Sequence, residues 1–465
     1  MTDIANQSQE SVPQLMPLRE VFPTWVRVAA LSFGGPAGQI AVMHRILVEE
    51  KRWIGEDRFL HALNYCMLLP GPEAHQLAVY IGWLMHRTRG GIVAGLLFVL
   101  PGLLALGILS WLYAAFGQIG IVGALFFGMK AAVLAIVAEA VVRIGRRALK
   151  RRVYVVIAAI AFVGIFFLEL PFPLIVLAAG IAGLAGHKLL PSIFAPQKGH
   201  GGDANAPRTG LVDALFAQGE PEHVRPSAAR FLKVLLLGGF LWLGPLLACL
   251  VILGPGNVFT LLTIFNSKMA VVTFGGAYAV LSYMAQQAVE HYHWLQPSEM
   301  LVGLGFAETT PGPLISVVQF VGFMAAFRAP GMLDPALAGT LGGVLAMWST
   351  FVPSFLWIFL GGPYVERLIG NRALSAGLSA ITAAVVGVVL NLAVWLALHT
   401  LFAEVDTVRS FGLTLNIPRL DSIDWAALVI GLGAAVAMFR FKAGMIPVLG
   451  ASCLAGVGVY LMSLA

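Results

Sequence analysis

Apolar residues in this chain come in long runs, not in alternating or short amphipathic patterns. The runs lie near 22–43, 59–86, 91–115, 119–142, 153–170 and 172–187, then near 231–253, 258–287, 299–327, 335–360, 374–399, 423–439 and 443–463. A helix crosses a bilayer with about 20 apolar residues. The pattern therefore predicts an all-α polytopic membrane protein of about thirteen transmembrane segments. The polar stretch from Lys188 to Arg230 separates the two series and reads as a linker rich in glycine and proline. No Gly-Lys-Ser/Thr follows its glycines, so it is not a phosphate loop.

The second series repeats the first. Phe33-Gly34-Gly35 returns as Phe274-Gly275-Gly276, Trp53 as Trp294, and Pro70-Gly71-Pro72 as Pro311-Gly312-Pro313, all at one spacing of 241 positions. Further on, Phe98 to Pro101 resembles Phe351 to Pro353. The division expected is a polar N-terminal tail (1–21), a first membrane half (22–190), a cytoplasmic linker (191–230) and a second half (231–465). Segment 231–253 has no counterpart before Phe33. It is expected to flip the second half into an inverted-topology repeat with broken helices.

The basic cluster Arg143, Arg146, Arg147, Lys150, Arg151 and Arg152 marks a cytoplasmic loop by the positive-inside rule. Counting outward puts Arg87/Arg89, the linker, Arg367/Arg372 and Arg440/Lys442 on the same side, and the acidic loop 403–424 outside. If 59–86 crosses once, the N-terminus is inside and the C-terminus outside. Pro-Gly-Pro in the middle of that run leaves open a re-entrant hairpin. Trp53 and Trp294 are expected as interfacial anchors.

Composition narrows the function. Hydrophobic residues make up 59% of the 465 positions and charged residues 11%. Soluble domains carry roughly a quarter charged residues, so an ordinary cytoplasmic enzyme is excluded, as is a disordered chain. The formal charge of +6 fits basic inner loops and not nucleic-acid binding. Cys66, Cys249 and Cys453 are scattered and carry no metal or redox spacing. The polar first ~20 residues lack the charge and apolar core of a signal peptide.

Phe33-Gly34-Gly35-Pro36, Trp53-Ile54 and Leu69-Pro70-Gly71-Pro72-Glu73 in the first half resemble the chromate ion transporter family. Phe274-Gly275-Gly276 and Thr309-Thr310-Pro311-Gly312-Pro313 in the second half extend that resemblance to residues 22–463. It is the long form with two fused halves that the chain looks like. The resemblance implies export of chromate across the plasma membrane, with sulfate as a structurally similar competitor. One departure stands out: Glu73 has no twin, because Leu314 follows the second Pro-Gly-Pro. The halves are therefore expected to play unequal roles.

Gly-Gly and Pro-Gly-Pro break helices, and freed helix N-termini offer N–H donors and partial positive charge. Gly34, Gly35, Gly71, Gly275, Gly276 and Gly312 are accordingly candidates for an oxyanion site, or else for close helix packing. Arg27 and Lys268, each seven positions before a glycine pair, are candidate counter-charges. Arg27 has interfacial snorkelling as its alternative. Lys130 is a third basic candidate, for substrate attraction or for an ion pair with Glu73 or Glu139. Glu73 and Glu308 are proton-coupling candidates, taking up a proton as the anion leaves. His75, Gln76, Thr309 and Thr310 are secondary candidates. His291-Tyr-His293 reads as an interfacial loop. No metal or cofactor is expected. The partners expected are chromate and similar tetrahedral oxyanions, the lipid bilayer and, as a candidate, a second copy of the chain. An importer or channel for sulfate or another anion stays open on the same scaffold. An intramembrane enzyme is disfavoured, since the span interiors lack Asp and the chain shows no His-Glu-x-x-His or nucleotide motif.

Overall fold

A computed structural model describes residues 16–117, 119–194, 209–219, 221–274, 276–365, 372–410 and 412–464. Among them are seventeen α-helices: α1 (Leu18–Leu31), α2 (Gly35–His44), α3 (Glu56–Leu68), α4 (Glu73–Phe116), α5 (Gly120–Ala148), α6 (Arg152–Phe166), α7 (Phe172–Leu189), α8 (Leu211–Ala217) and α9 (Ala228–Leu253) precede α10 (Val258–Val272), α11 (Ala277–Gln286), α12 (Pro297–Thr309), α13 (Val317–Arg328), α14 (Pro335–Gly361), α15 (Arg372–Leu401), α16 (Trp425–Phe439) and α17 (Met445–Leu464). Seven of the helical stretches are long and apolar enough to cross a membrane, and four further apolar helices are shorter. The protein is an all-α polytopic membrane protein. Its one departure is a small exposed hairpin in the 403–424 segment, expected as loop. There β1 (Val405–Ser410) pairs antiparallel with β2 (Leu413–Pro418).

Broken helices dominate the centre. Four apolar runs read as single spans, 22–43, 59–86, 258–287 and 299–327, are each split into two helices at the Gly-Gly or Pro-Gly-Pro motif. Two of them fold into hairpins. In the first, Tyr65 of α3 meets Tyr80 of α4 with ring centroids 5.3 Å apart. In the second, Phe306 of α12 meets Phe320 of α13 at 5.7 Å. Its base is closed by Arg328, which donates to both carboxylate oxygens of Glu299 at 2.5 and 2.9 Å. Residues 59–86 thus turn back at Pro70–Pro72 and do not run across as one span.

Each hairpin leads into a long helix that folds back along it. At His86 and Arg87 the backbone of α4 leaves helical geometry (Arg87 φ 55°, ψ −154°), so 73–85 and 88–116 are two antiparallel arms. Glycines let them approach: a Cβ on Gly82 would stand 2.5 Å from the Gly90 carbonyl, and one on Gly91 3.0 Å from that of Val79. The second half does the same, where a Cβ on Gly322 would stand 2.6 Å from the Gly342 carbonyl. Without water to drive apolar association, small residues and close backbones supply the packing.

The long arm 88–116 covers roughly 40 Å. It begins at the base of the first hairpin and ends near the base of the second, where Tyr113 donates to Glu299 at 3.4 Å. Helix α14 starts after Arg328 and ends with Gly361 and Gly362 against Tyr65 and Trp83 of the first hairpin. The two hairpins therefore enter the bundle from opposite ends.

Helix α8 straps the first hairpin's base. The amides of Leu211 and Val212 donate to the carbonyls of Arg52 and Trp53 at 3.0 and 2.9 Å. Asp213 accepts from the Gly55 amide and from Arg58 Nε, both at 2.6 Å. Burial, with the positive charge of Arg87 beside it, lowers the pKa of His223, which follows α8 and packs edge-on to Trp83. The two expected interfacial anchors are in fact buried, Trp53 under this strap and Trp294 stacked on Tyr292 at 4.3 Å.

Candidate functional site

The four chain breaks converge. The amide of Gly71, at the tip of the first hairpin, donates to the Thr273 carbonyl at 2.8 Å, at the end of α10. The amide of Gly312, at the tip of the second, donates to the Ser32 carbonyl at 2.9 Å, just past the end of α1. Each half's Pro-Gly-Pro is thus docked on the residue before the other half's Phe-Gly-Gly. Gly71 and Gly312 have φ of 126° and 112°, where a side chain is strained. Gln39 adds a bond from its amide to the Gly312 carbonyl at 2.6 Å. The long helices close in as well. Gly102 of α4 lies against Pro311 and Gly312, and Ser354 of α14 against Gly71.

Around this junction, α2 starts at Gly34 and Gly35, α4 at Glu73 and α11 just after Gly276. A Cβ on Gly276 would stand 3.8 Å from the Glu73 carboxylate, and one on Gly35 3.8 Å from the Tyr278 hydroxyl. Oε2 of Glu73 is buried without a hydrogen-bond partner among the described residues. Tyr278 donates to Glu308 Oε1 at 2.5 Å, and both side chains are buried.

A cavity of about 330 Å³ reaches this junction, lined by Gly34, Ile136, Glu139, Arg143, Tyr278, Glu308 and the turn from Lys442 to Met445. Arg143 and Glu139 are 3.7 Å apart. Lys442 has no ion-pair partner among the described residues. The cavity carries both charges and helix N-terminal amides, a chemistry suited to an anion. No group of metal-binding residues is found among the described residues.

The structure brings together Gly34, Gly35, Gly71, Gly276, Gly312, Glu73 and Glu308. Gly275 lies outside the described residues. Arg27 and Lys268 are elsewhere: Arg27 pairs with Glu50 at 2.6 Å and is 48% exposed, and Lys268 is exposed on α10. An exposed cation on a transmembrane helix can snorkel to the interface. Lys130 is half-buried, and the carboxylate whose charge reaches it is Glu299, not Glu73 or Glu139. The hydroxyls of Thr309 and Thr310 bond back to Gly305 and Phe306 of their own helix. Gln76 donates to the Pro70 carbonyl at 2.8 Å and braces the first tip. His75 is fully buried among Phe98, Phe351 and Phe355, with the Gly95 backbone as the polar group beside its ring.

Tyr278, Arg143 and Lys442 are absent from the sequence candidates. Arg143 could have been found, since Ile136, Glu139 and Arg143 share one face of α5 at helical spacing. Tyr278 and Lys442 carry no such signal.

A family model described as Chromate transporter matches residues 19–184 and 260–457. A chromate transport protein of Pseudomonas aeruginosa is 32% identical over 390 residues, covering 82% of this chain and 81% of that protein. A chromate transport protein of Cupriavidus metallidurans is 28% identical over 428 residues, covering 90% and 93%. No solved structure matches.

Proposed function

The chain belongs to the chromate transporter family, and from that premise we propose that it exports chromate from the cytoplasm as a secondary transporter and so confers chromate resistance. Sulfate, a tetrahedral dianion of similar shape, competes for the site. The two halves act as inverted repeats, 22–190 and 231–465, with 231–253 as the inverting helix. The membrane is the cell's inner, plasma membrane; the linker is cytoplasmic, and the start of α1 is on the same side, because the Met16 carbonyl meets His86 at the hairpin base where His223 packs on Trp83.

The observation that carries this reading is the exchange of hydrogen bonds between Gly71 and Thr273 and between Gly312 and Ser32. Two hairpin tips held at the repeat junction, with helix N-termini around them, make a site an anion can occupy from either end. The cavity beside Glu308 opens at the end bearing Arg143 and Lys442. By the positive-inside rule that end is cytoplasmic, which supports loading from the cytoplasm. The glycine amides at Gly34, Gly35, Gly71, Gly275, Gly276 and Gly312 bind the oxyanion, and Glu73 or Glu308 carries the proton coupling. Lipid and chromate are the partners required. A homodimer is compatible with this arrangement and not needed for it.

The test is chromate flux into inverted membrane vesicles holding the purified chain, with and without a proton gradient and excess sulfate. Uptake inhibited by sulfate supports an exporter of tetrahedral oxyanions. Correctly inserted protein without chromate flux overturns the substrate, and flux only in right-side-out vesicles overturns the direction.

A further inference from the structure

Tyr278 and Glu308 form a bond that the anion site cannot ignore. It lies on the inner wall of the cavity that also exposes Gly34, Arg143 and Lys442. The phenol donates to Glu308 Oε1 at 2.5 Å. The same hydroxyl is 3.8 Å from where a Cβ on Gly35 would stand, beside the first turn of α2. A phenol has one proton to donate. This one is placed between the carboxylate it now serves and any anion seated at the start of α2.

We propose that Tyr278 is a donor shared between Glu308 and the transported oxyanion. This inference rests on the oxyanion reading above. An entering oxyanion takes over the Tyr278 hydrogen bond. Glu308 loses that bond and faces a second negative charge, and it binds one proton from cavity water. When the anion leaves, the bond returns to Glu308 and the proton goes back to water. Only that O–H bond is made and broken, and Tyr278 keeps its own proton throughout. Tyr278 from α11 and Glu139 and Arg143 from α5 face Glu308, and Lys442 from the turn after α16 lines the same cavity. Arg143 is partly compensated by Glu139 at 3.7 Å, so the two anionic charges are not fully balanced when both are present. Anion and proton are therefore bound together. That sign is opposite to an exchange in which the proton arrives as the anion departs.

The experiment is chromate binding to the full chain in lipid nanodiscs across the neutral and alkaline range. Wild type, Tyr278→Phe and Glu308→Gln are compared at each pH, so that chromate's own protonation cancels. Wild-type affinity is expected to fall with rising pH by up to about tenfold per unit beyond the Glu308→Gln slope. Tyr278→Phe is expected to flatten that slope, because Glu308 then has no hydrogen bond to lose when the anion enters, while its affinity changes less because the lost bond is missing from both the free and the bound state. The full wild-type slope in Tyr278→Phe overturns the shared donor. The full wild-type slope in Glu308→Gln overturns the carboxylate's part, and this arm decides the question even if the tyrosine variant fails to assemble. Absence of chromate binding by wild type strikes the oxyanion reading itself, which separates the two failures.

Discussion

The Gly71 amide and the Thr273 carbonyl, 2.8 Å apart, join the tip of one hairpin to a helix end in the other half of the chain. The Gly312 amide and the Ser32 carbonyl repeat that bond at 2.9 Å with the halves exchanged. Both tip glycines are buried, so the amide of each is satisfied by a carbonyl of the opposite half. A shift of either hairpin must break a bond to the other half, which gives the junction two mechanically linked sides.

Gly102→Ala tests this junction. Its Cβ would stand 2.8 Å from the Pro311 carbonyl, a backbone atom that cannot rotate away. The expected cost is about 1–3 kcal/mol of overpacking, with chromate flux lost more completely than folding. Thermal unfolding in detergent and vesicle flux, measured on the same preparation, separate the two. Normal flux would show that the second tip need not stay docked against α4.

Lys268→Ala and Arg27→Ala are expected to keep flux within about twofold of wild type. Lys268 is exposed, and Arg27 is in a half-exposed pair with Glu50 that is worth ~0–1 kcal/mol. Loss of chromate flux in well-folded Lys268→Ala would return that residue to the transport path.

Arg328→Ala opens the base of the second hairpin. It removes a two-pronged contact to Glu299 and a bond to the Trp294 carbonyl at 2.8 Å. Glu299 is 9% exposed and Arg328 41%, so the full penalty of a buried pair is reduced by solvent. A loss of about 1–3 kcal/mol is expected, read as a lower unfolding temperature. An unchanged temperature would mean that Tyr113 and the Gln296 amide suffice to hold Glu299.

Asp213→Ala frees the strap. It removes the bonds to Gly55 and Arg58 and the cap on α8, where the Gly210 amide donates at 2.9 Å. About 1–2 kcal/mol is expected from cap and ion pair together. Chymotrypsin should then cleave after Phe216 of α8 several-fold faster than in wild type, as gel densitometry over time would show. An equal rate would place the strap's stability in its backbone bonds to Arg52 and Trp53.

His75→Phe replaces a buried imidazole among Phe98, Phe351 and Phe355, beside the Gly95 backbone, by an apolar ring. A change in stability within about 1.5 kcal/mol is expected from this near-isosteric swap, with flux retained. A stable variant that no longer transports would instead assign the ring to the mechanism.

Much of this was legible along the chain. Long apolar runs determine a polytopic helical protein, because only helices satisfy their backbones in lipid. The spacing of Phe33-Gly34-Gly35 and Pro70-Gly71-Pro72 against their second copies determines where helices break, because glycine and proline act locally. The tertiary structure alone decided that 59–86 turns back, since a broken helix is equally compatible with a kinked span. It alone placed Tyr278 against Glu308, lined one cavity with both and Lys442, and left Arg27 and Lys268 exposed. Which face of an apolar helix meets the interior depends on partners hundreds of residues distant, and when lipid and protein core are both apolar, hydrophobic periodicity carries no record of that choice.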